Sequence, residues 1–118
     1  MNGDGADFAV FENSFSNDFL ELAWVEVSSN GNDFTRFPGA SLTASTVGPF
    51  SATMDPTNIT GLAGKYRAGF GTPFDLEPLH GSANLDINNV THIRIVDIVG
   101  DGNAVDNLSP PVGPNPIY

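Results

Sequence analysis

The stretch that decides the fold is residues 24–37, Trp-Val-Glu-Val-Ser-Ser-Asn-Gly-Asn-Asp-Phe-Thr-Arg-Phe. Apolar and polar side chains alternate through its first part, and the apolar parity consists of Ala23, Val25 and Val27. A period of two predicts a strand with one buried face. Trp24 shares the other parity with Glu26, so it is either exposed and functional or covers the second face of a buried strand, and we expect it to be buried. Asn30 and Gly31 follow, and this dipeptide favours a tight hairpin turn because both residues accept positive φ angles. The returning run at 34–37 ends before a Pro-Gly pair, so we predict a β-hairpin.

Two further runs predict strands. Residues 8–12, Phe-Ala-Val-Phe-Glu, begin with four consecutive apolar side chains, which favour a short strand covered on both faces. Residues 90–99 predict a second long strand with Ile93 and Ile95 facing the core. Weaker strands are expected within residues 40–53, which are rich in Ser, Thr, Ala and Gly.

Two segments predict irregular structure. Residues 61–79 contain four Gly and two Pro and keep no period, so we expect a long surface loop there. Loops of that length inside a compact domain are uncommon unless they carry a function. Residues 109–118 contain four Pro, which favour an extended, weakly ordered tail.

Composition limits the function classes. A chain of 118 residues has room for one domain with one core. Its formal net charge of −10, from 14 acidic and four basic side chains, argues against nucleic acid as a partner, because phosphates need Lys and Arg. No apolar run approaches the roughly 18 residues of a membrane span, so we expect no membrane insertion. Cysteine is absent, which excludes disulfide bonds and thiol chemistry.

Several segments carry a family resemblance. They are residues 7–13 (Asp-Phe-Ala-Val-Phe-Glu-Asn), 62–66 (Leu-Ala-Gly-Lys-Tyr), 69–76 (Gly-Phe-Gly-Thr-Pro-Phe-Asp-Leu), 91–95 (Thr-His-Ile-Arg-Ile) and 94–97 (Arg-Ile-Val-Asp). Together with the hairpin, they resemble bacterial cell-surface β-sandwich modules of the discoidin-like (F5/8 type C, galactose-binding-like) kind, found in secreted proteins with C-terminal sorting signals. The resemblance covers most of the chain between residues 5 and 102.

The resemblance implies an all-β fold, an antiparallel jelly-roll sandwich in a secreted or cell-surface protein. Such modules have further strands before the segment matching residues 7–13 and after the segment matching residues 116–118. This chain is therefore expected to lack outer strands, which leaves a sheet edge open. An open edge attracts another strand, so we expect association with a second copy or with another cell-surface protein.

Calcium is the predicted cofactor. Ca²⁺ binds carboxylate and carbonyl oxygens, and two acidic loops punctuated by Gly offer them at residues 4–7 and 97–103. Glu12 and Asp97 also share the parity of the apolar side chains in their predicted strands, which would turn both carboxylates toward the core. A charge in the core is costly unless it is paired or bound to a metal. The candidate ligands are Asp4, Asp7, Glu12, Asp97 and Asp101. The alternative is that these carboxylates lie at strand ends in contact with water or backbone amides.

A glycan is the predicted ligand. Tyr66, Arg67 and Phe70 lie in the loop expected at 61–79, where aromatic faces suit sugar rings and a guanidinium suits hydroxyl groups. The alternative is that the two rings pack back onto the sheet as part of the loop's own core.

The predicted function is thus a non-catalytic, calcium-supported module that recognises a surface or environmental glycan. A structural subunit or spacer without a small ligand is the rival hypothesis. Catalysis is the weaker alternative, since His80 and His92 have no nucleophile motif near them. A glycosidase would need two carboxylates at a defined separation, which a sequence does not provide.

Overall fold

The computed structural model describes residues 2–12, 21–43, 55–100 and 103–117. Its strands, in chain order, are β1 (Phe8–Phe11), β2 (Ala23–Ser28), β3 (Thr35–Arg36), β4 (Ala40–Ser41), β5 (Ile59–Thr60), β6 (Gly71–Phe74) and β7 (His92–Asp97). Short 3-10 helices span Pro56–Asn58 and Glu77–Leu79. Within these described ranges, no helix has the length and apolar character needed to cross a membrane.

All strand pairs are antiparallel, which confirms the predicted all-β class. β2 is the centre of a three-stranded sheet of order β3-β2-β7, and the β2–β3 pair is the hairpin predicted from the sequence. β1 pairs with β6, and β4 pairs with β5, as separate two-stranded ribbons. Of the weak strands expected within 40–53, β4 is present, and residues 44–53 lie outside the described ranges. A discoidin-like sandwich stays a prediction.

Apolar cores cover β2 on both faces, so the single buried face expected from the alternation was wrong, whereas the expected burial of Trp24 is confirmed. The inner core packs the odd-numbered side chains of β2 against β1, β6 and residues 76–87, and three of its rings, Phe8, Phe37 and Phe74, have centroids 5.0–6.0 Å apart. The outer core packs Trp24 against Ile59, Leu62 and Ile117. Every residue of β2 is consequently buried.

The hairpin loop is longer than the tight turn expected at Asn30–Gly31. The last paired residues are Val27 and Thr35, and side-chain hydrogen bonds hold the chain between them. The Ser28 hydroxyl accepts from the Gly31 backbone N–H at 2.9 Å, and Asn30 Oδ1 accepts from the N–H groups of residues 32 and 33. Polar side chains thus replace the missing backbone ladder.

Two strands are less covered than the sequence predicted. In β1, Val10 is buried but Phe11 is 65% exposed, because the strand contacts the inner core through one face. In β7, Ile93 and Ile95 are 43% and 47% exposed, although their partners Val27 and Val25 are fully buried. The buried inner core includes no residue of β7, so the two isoleucines lie beyond its margin.

Residues 61–79 are not the surface loop that was expected. The segment contains β6 and a 3-10 helix, and its buried side chains are Leu62, Ala63, Thr72, Phe74, Leu76 and Leu79. Ala63 forms an antiparallel bridge with Ala23 at the start of β2. Gly64 follows at φ +81°, where a Cβ would overlap the carbonyl of Glu21. The glycine therefore permits close packing rather than flexibility.

The C-terminal segment is also packed, contrary to the extended tail that was expected. Ile117 is fully buried in the outer core, and Val105 bridges to Pro116. Asp106 is buried beside them, and its carboxylate accepts from the backbone N–H groups of Ser41, Leu108 and Asn115 at 2.8–3.2 Å. This carboxylate joins the end of the chain to β4.

Candidate functional site

The predicted glycan residues lie together on one exposed turn. Tyr66 is 36% exposed and Phe70 is 54% exposed, so neither ring is packed away as a core of the loop. Lys65 Nζ lies 5.2 Å from the centroid of the Tyr66 ring, and Arg67 Cζ lies 5.1 Å from that of Phe70. The turn thus presents two aromatic rings, each with a cation beside it. We call residues 65–70 the aromatic turn.

Local hydrogen bonds fix the shape of the aromatic turn. The backbone N–H of Phe70 donates to the carbonyl of Arg67 at 3.1 Å, and Gly69 between them has φ +93°. That conformation suits glycine at the third position of a reverse turn. Lys65 Nζ donates to the carbonyl of Ile59 at 2.7 Å, which ties the start of the turn to β5.

Phe11 is an additional exposed aromatic residue that the sequence analysis did not select. It pairs with Gly71 across the β1–β6 ribbon, and its ring covers that glycine closely enough that a Cβ there would lie 2.8 Å from Cζ of the ring. Phe70 directly precedes Gly71, so Phe11 and the aromatic turn lie at the same end of the ribbon. Gly71 opposite Phe11 is a signal that could have identified this aromatic residue, but it can be seen only when the pairing register of β1 with β6 is known.

The first two predicted metal ligands lie in one loop but differ in role. Asp7 accepts hydrogen bonds from the backbone N–H groups of Gly3 at 2.6 Å and of Leu76 at 2.9 Å. These two bonds, from Leu76 and then from Gly3, lower the pKa of Asp7. Its carboxylate therefore fastens the N-terminal loop to the end of β6. Asp4 is exposed on the same loop.

The remaining predicted ligands lie elsewhere. Glu12 is half-buried after β1, and Asp101 lies outside the described residues. Asp97 ends β7 and is exposed, so its expected inward orientation was wrong for the same reason as that of the isoleucines in this strand. Among residues 2–12, 21–43, 55–100 and 103–117, no group of three or more His, Cys, Asp or Glu side chains could hold a metal ion. The calcium site stays a prediction.

A row of charged side chains crosses the outer face of the central sheet, and the sequence analysis missed it. Glu26 of β2 pairs in register with Arg36 of β3 on one side and with Arg94 of β7 on the other. Arg36 Nε donates to Glu26 Oε2 at 2.9 Å, and Arg94 Nε donates to Oε1 at 2.7 Å. We call these three residues the Arg–Glu–Arg row.

Burial and charge act in opposite directions on the central carboxyl of this row. Glu26 is 6% exposed, and burial raises the pKa of its carboxyl group. The hydrogen bonds and positive charges of Arg94 and Arg36 outweigh that effect, so the pKa lies below its ordinary value. Glu26 is therefore ionised, and the row carries a net charge of about +1 in a strongly acidic chain.

Aromatic rings support both guanidinium groups. Arg94 Cζ lies 3.8 Å from the centroid of the Phe34 ring, and Arg36 Cζ lies 4.8 Å from that of Trp24. Each guanidinium is therefore held by a carboxylate at its Nε edge and by a ring. The arginine side chains nevertheless remain 40% exposed in Arg36 and 51% exposed in Arg94.

Among known proteins, no family model, no curated protein and no solved structure matches the chain.

Proposed function

We propose that the protein is a non-catalytic binding module that recognises a glycan through the aromatic turn. The observation that carries the proposal is the exposure of Phe70 and Tyr66 on a turn whose backbone is fixed by hydrogen bonds. Buried aromatic side chains would indicate a structural role, whereas exposed rings next to Arg67 suit a sugar with hydroxyl groups at its edge. Phe11 extends the same apolar surface.

The proposal is tested by a glycan array probed with wild-type protein and with two variants, Phe70→Ala and Tyr66→Ala. We expect each variant to lose at least about tenfold in affinity, because stacking area is removed from a fixed site. Melting temperature should change little, since substitutions at exposed positions usually cost within about 0.5 kcal/mol. Leu42→Ala is the matched control, as Leu42 is 60% exposed outside the aromatic turn. Variants that bind as well as the wild type, or a wild type that binds no glycan, would refute the proposal.

A second candidate is an assembly role, favoured by the edge strand β7. β7 is an end strand in the order β3-β2-β7, and two of its apolar side chains, Ile93 and Ile95, are nearly half exposed. A second copy that pairs antiparallel about Ile95 would place the two Ile95 side chains opposite each other and each Arg94 opposite Val96 of the other chain. The strand carries His92, Arg94 and Asp97, so it is much less negative than the whole chain.

Sedimentation velocity over a wide concentration range tests this assembly. We expect wild-type protein to form a dimer, and Ile95→Lys to remain monomeric because a lysine on an edge strand opposes pairing. Val112→Lys, at another exposed apolar position, is the control and should dimerise like the wild type. A monomeric wild type at millimolar concentration would exclude the assembly while leaving the glycan proposal intact.

A further inference from the structure

The Arg–Glu–Arg row holds more positive charge than its carboxylate requires. One arginine would neutralise Glu26, yet two of the four basic residues of the chain converge on it. The remaining chain has an excess of carboxylates for which a second arginine could have been a partner. A buried ion pair is also weak evidence for a stabilising role, since apolar residues of similar volume often serve as well. The second guanidinium therefore calls for an explanation other than neutralisation.

Both guanidinium groups retain donors that no described residue of the protein accepts from. Each donates to Glu26 through Nε, and a guanidinium has four further N–H groups on its terminal nitrogens. Within the described part of the chain, neither Arg36 nor Arg94 makes another hydrogen bond, and both remain accessible to solvent. The aromatic rings and the Nε bonds hold the two groups in place, so little conformational entropy is lost when a ligand binds.

We propose that Arg36 and Arg94 together bind one oxyanion, a carboxylate or sulfate group, on the outer face of the central sheet. The two Nε atoms contact the two oxygens of a single carboxylate, which holds both guanidinium groups beside one residue of the sheet, and a guanidinium suits an oxyanion with its remaining N–H groups. Glu26 lies between the two arginines and holds them in position, and it does not contact the ligand. The ligand is either a free anion or an acidic group on a polymer. This site is separate from the aromatic turn and does not depend on the glycan proposal.

The test follows the arginine Nε–H resonances by NMR while sodium sulfate is added at constant ionic strength. We expect the resonances of Arg36 and Arg94 to shift together and to saturate with one dissociation constant. The Nε–H of Arg67 is the internal control and should show no saturating shift. Chloride at the same ionic strength should reproduce neither effect. A shift for Arg36 and Arg94 that does not saturate, or that chloride reproduces, would overturn the proposal.

Variants and a second ligand sharpen the result. Arg36→Lys and Arg94→Lys keep the charge but lose the planar fork, and each should weaken sulfate binding at least about tenfold, whereas Arg67→Lys should not. Trigalacturonate and its uncharged methyl ester distinguish the source of the anion. Binding of each ligand is read from the Nε–H resonances of Arg36 and Arg94, so binding at the aromatic turn does not contribute. Tighter binding of trigalacturonate than of sulfate there indicates an acidic polymer, and tighter binding of sulfate indicates a free anion. Equal binding of the methyl ester at these resonances would overturn the proposal. Since the wild-type spectrum carries the main readout, the test does not depend on variants that fold.

Discussion

Glu26 shows, at the scale of one residue, how burial and pairing compete. Its carboxyl group has a pKa below the ordinary value of 4.5, because the two arginines outweigh the effect of burial. A group with a lowered pKa in the folded state stabilises the fold above its unfolded pKa. That contribution is lost as the pH falls through the folded pKa.

Glu26→Gln tests this balance. We expect the variant to lose about 1–2 kcal/mol of unfolding free energy at pH 7, since its half-exposed partners weaken the pair. The deficit should shrink as the pH falls from 4.5 through the lower pKa of the folded state, where the wild-type carboxylate becomes protonated. Urea denaturation at several pH values measures the loss of unfolding free energy and its dependence on pH. Glu77→Gln, which removes an exposed carboxylate hydrogen-bonded to Asn2, should show a small effect at every pH. A deficit of Glu26→Gln that is constant with pH would contradict the ionised pair.

The β2–β3 hairpin shows, at the scale of one element, that side chains can hold a loop that the strand ladder leaves open. Ser28 is fully buried at the end of β2. Its hydroxyl accepts from the N–H groups of Asn30 and Gly31 and donates to Asn30 Oδ1 at 3.1 Å. The serine therefore sets the direction in which the chain leaves the strand.

Ser28→Ala should destabilise the protein by about 1–2 kcal/mol, because two backbone donors lose their acceptor. We also expect the amide of Gly31 to exchange with deuterium faster than in the wild type, since its hydrogen bond to Ser28 is removed. Chemical denaturation and hydrogen exchange measure the two effects. The control is Ser82→Ala, at a half-buried serine whose hydroxyl makes no hydrogen bond within the described ranges. An unchanged Gly31 exchange rate would show that the backbone alone holds the loop.

Charge is the dominant feature of the whole molecule. The net charge is −10, and two ion pairs within the described ranges converge on Glu26. Most carboxylates therefore repel one another, which disfavours the compact state. Asp7 and Asp55 are stabilised instead by backbone or hydroxyl hydrogen bonds, which lower the pKa of each.

Calcium is expected to relieve this repulsion. A ligand that binds only the folded state adds about 2.7 kcal/mol at a hundredfold excess over its dissociation constant. At roughly 4–8 °C per kcal/mol for a small domain, millimolar calcium added after EDTA should raise the melting temperature by more than about 10 °C. Magnesium controls for nonspecific screening, and Asp97→Asn should remove most of the shift if that residue is a ligand. Equal melting curves in EDTA and in calcium would exclude the site.

The sequence predicted what depends on neighbouring residues. The alternation of Ala23, Val25 and Val27 predicted β2, and the run at 90–99 predicted β7, because a strand's period of two is a local property. The all-β class follows from these signals together with the scarcity of helical patterns. Tyr66, Arg67 and Phe70 were selected from their residue types, and their role in binding a glycan stays a prediction.

The features that were missed depend on residues far apart in the chain. Trp24 is covered by Leu62 and Ile117, so the residues that bury the second face of β2 could not be predicted from β2 alone. The Arg–Glu–Arg row joins residues 26 and 94 through the register of β7 on β2, and a shift of one residue would have separated them. The alternation of residues along a strand predicts which side chains share a face. It does not predict how far the core that packs against that face extends.

The burial of Ile117 has a consequence for how the protein is made. Trp24 leaves the ribosome long before its cover at Ile117 does, and at about 5–20 residues per second the delay is roughly 5–20 s. During that interval Trp24, on the outer face of β2, lacks part of its apolar cover and is open to water or to other nascent chains. The outer core can therefore be completed only after the C-terminal segment has been translated. A ribosome that stalls before Ile117 would hold a chain in which this core is incomplete and exposes apolar surface.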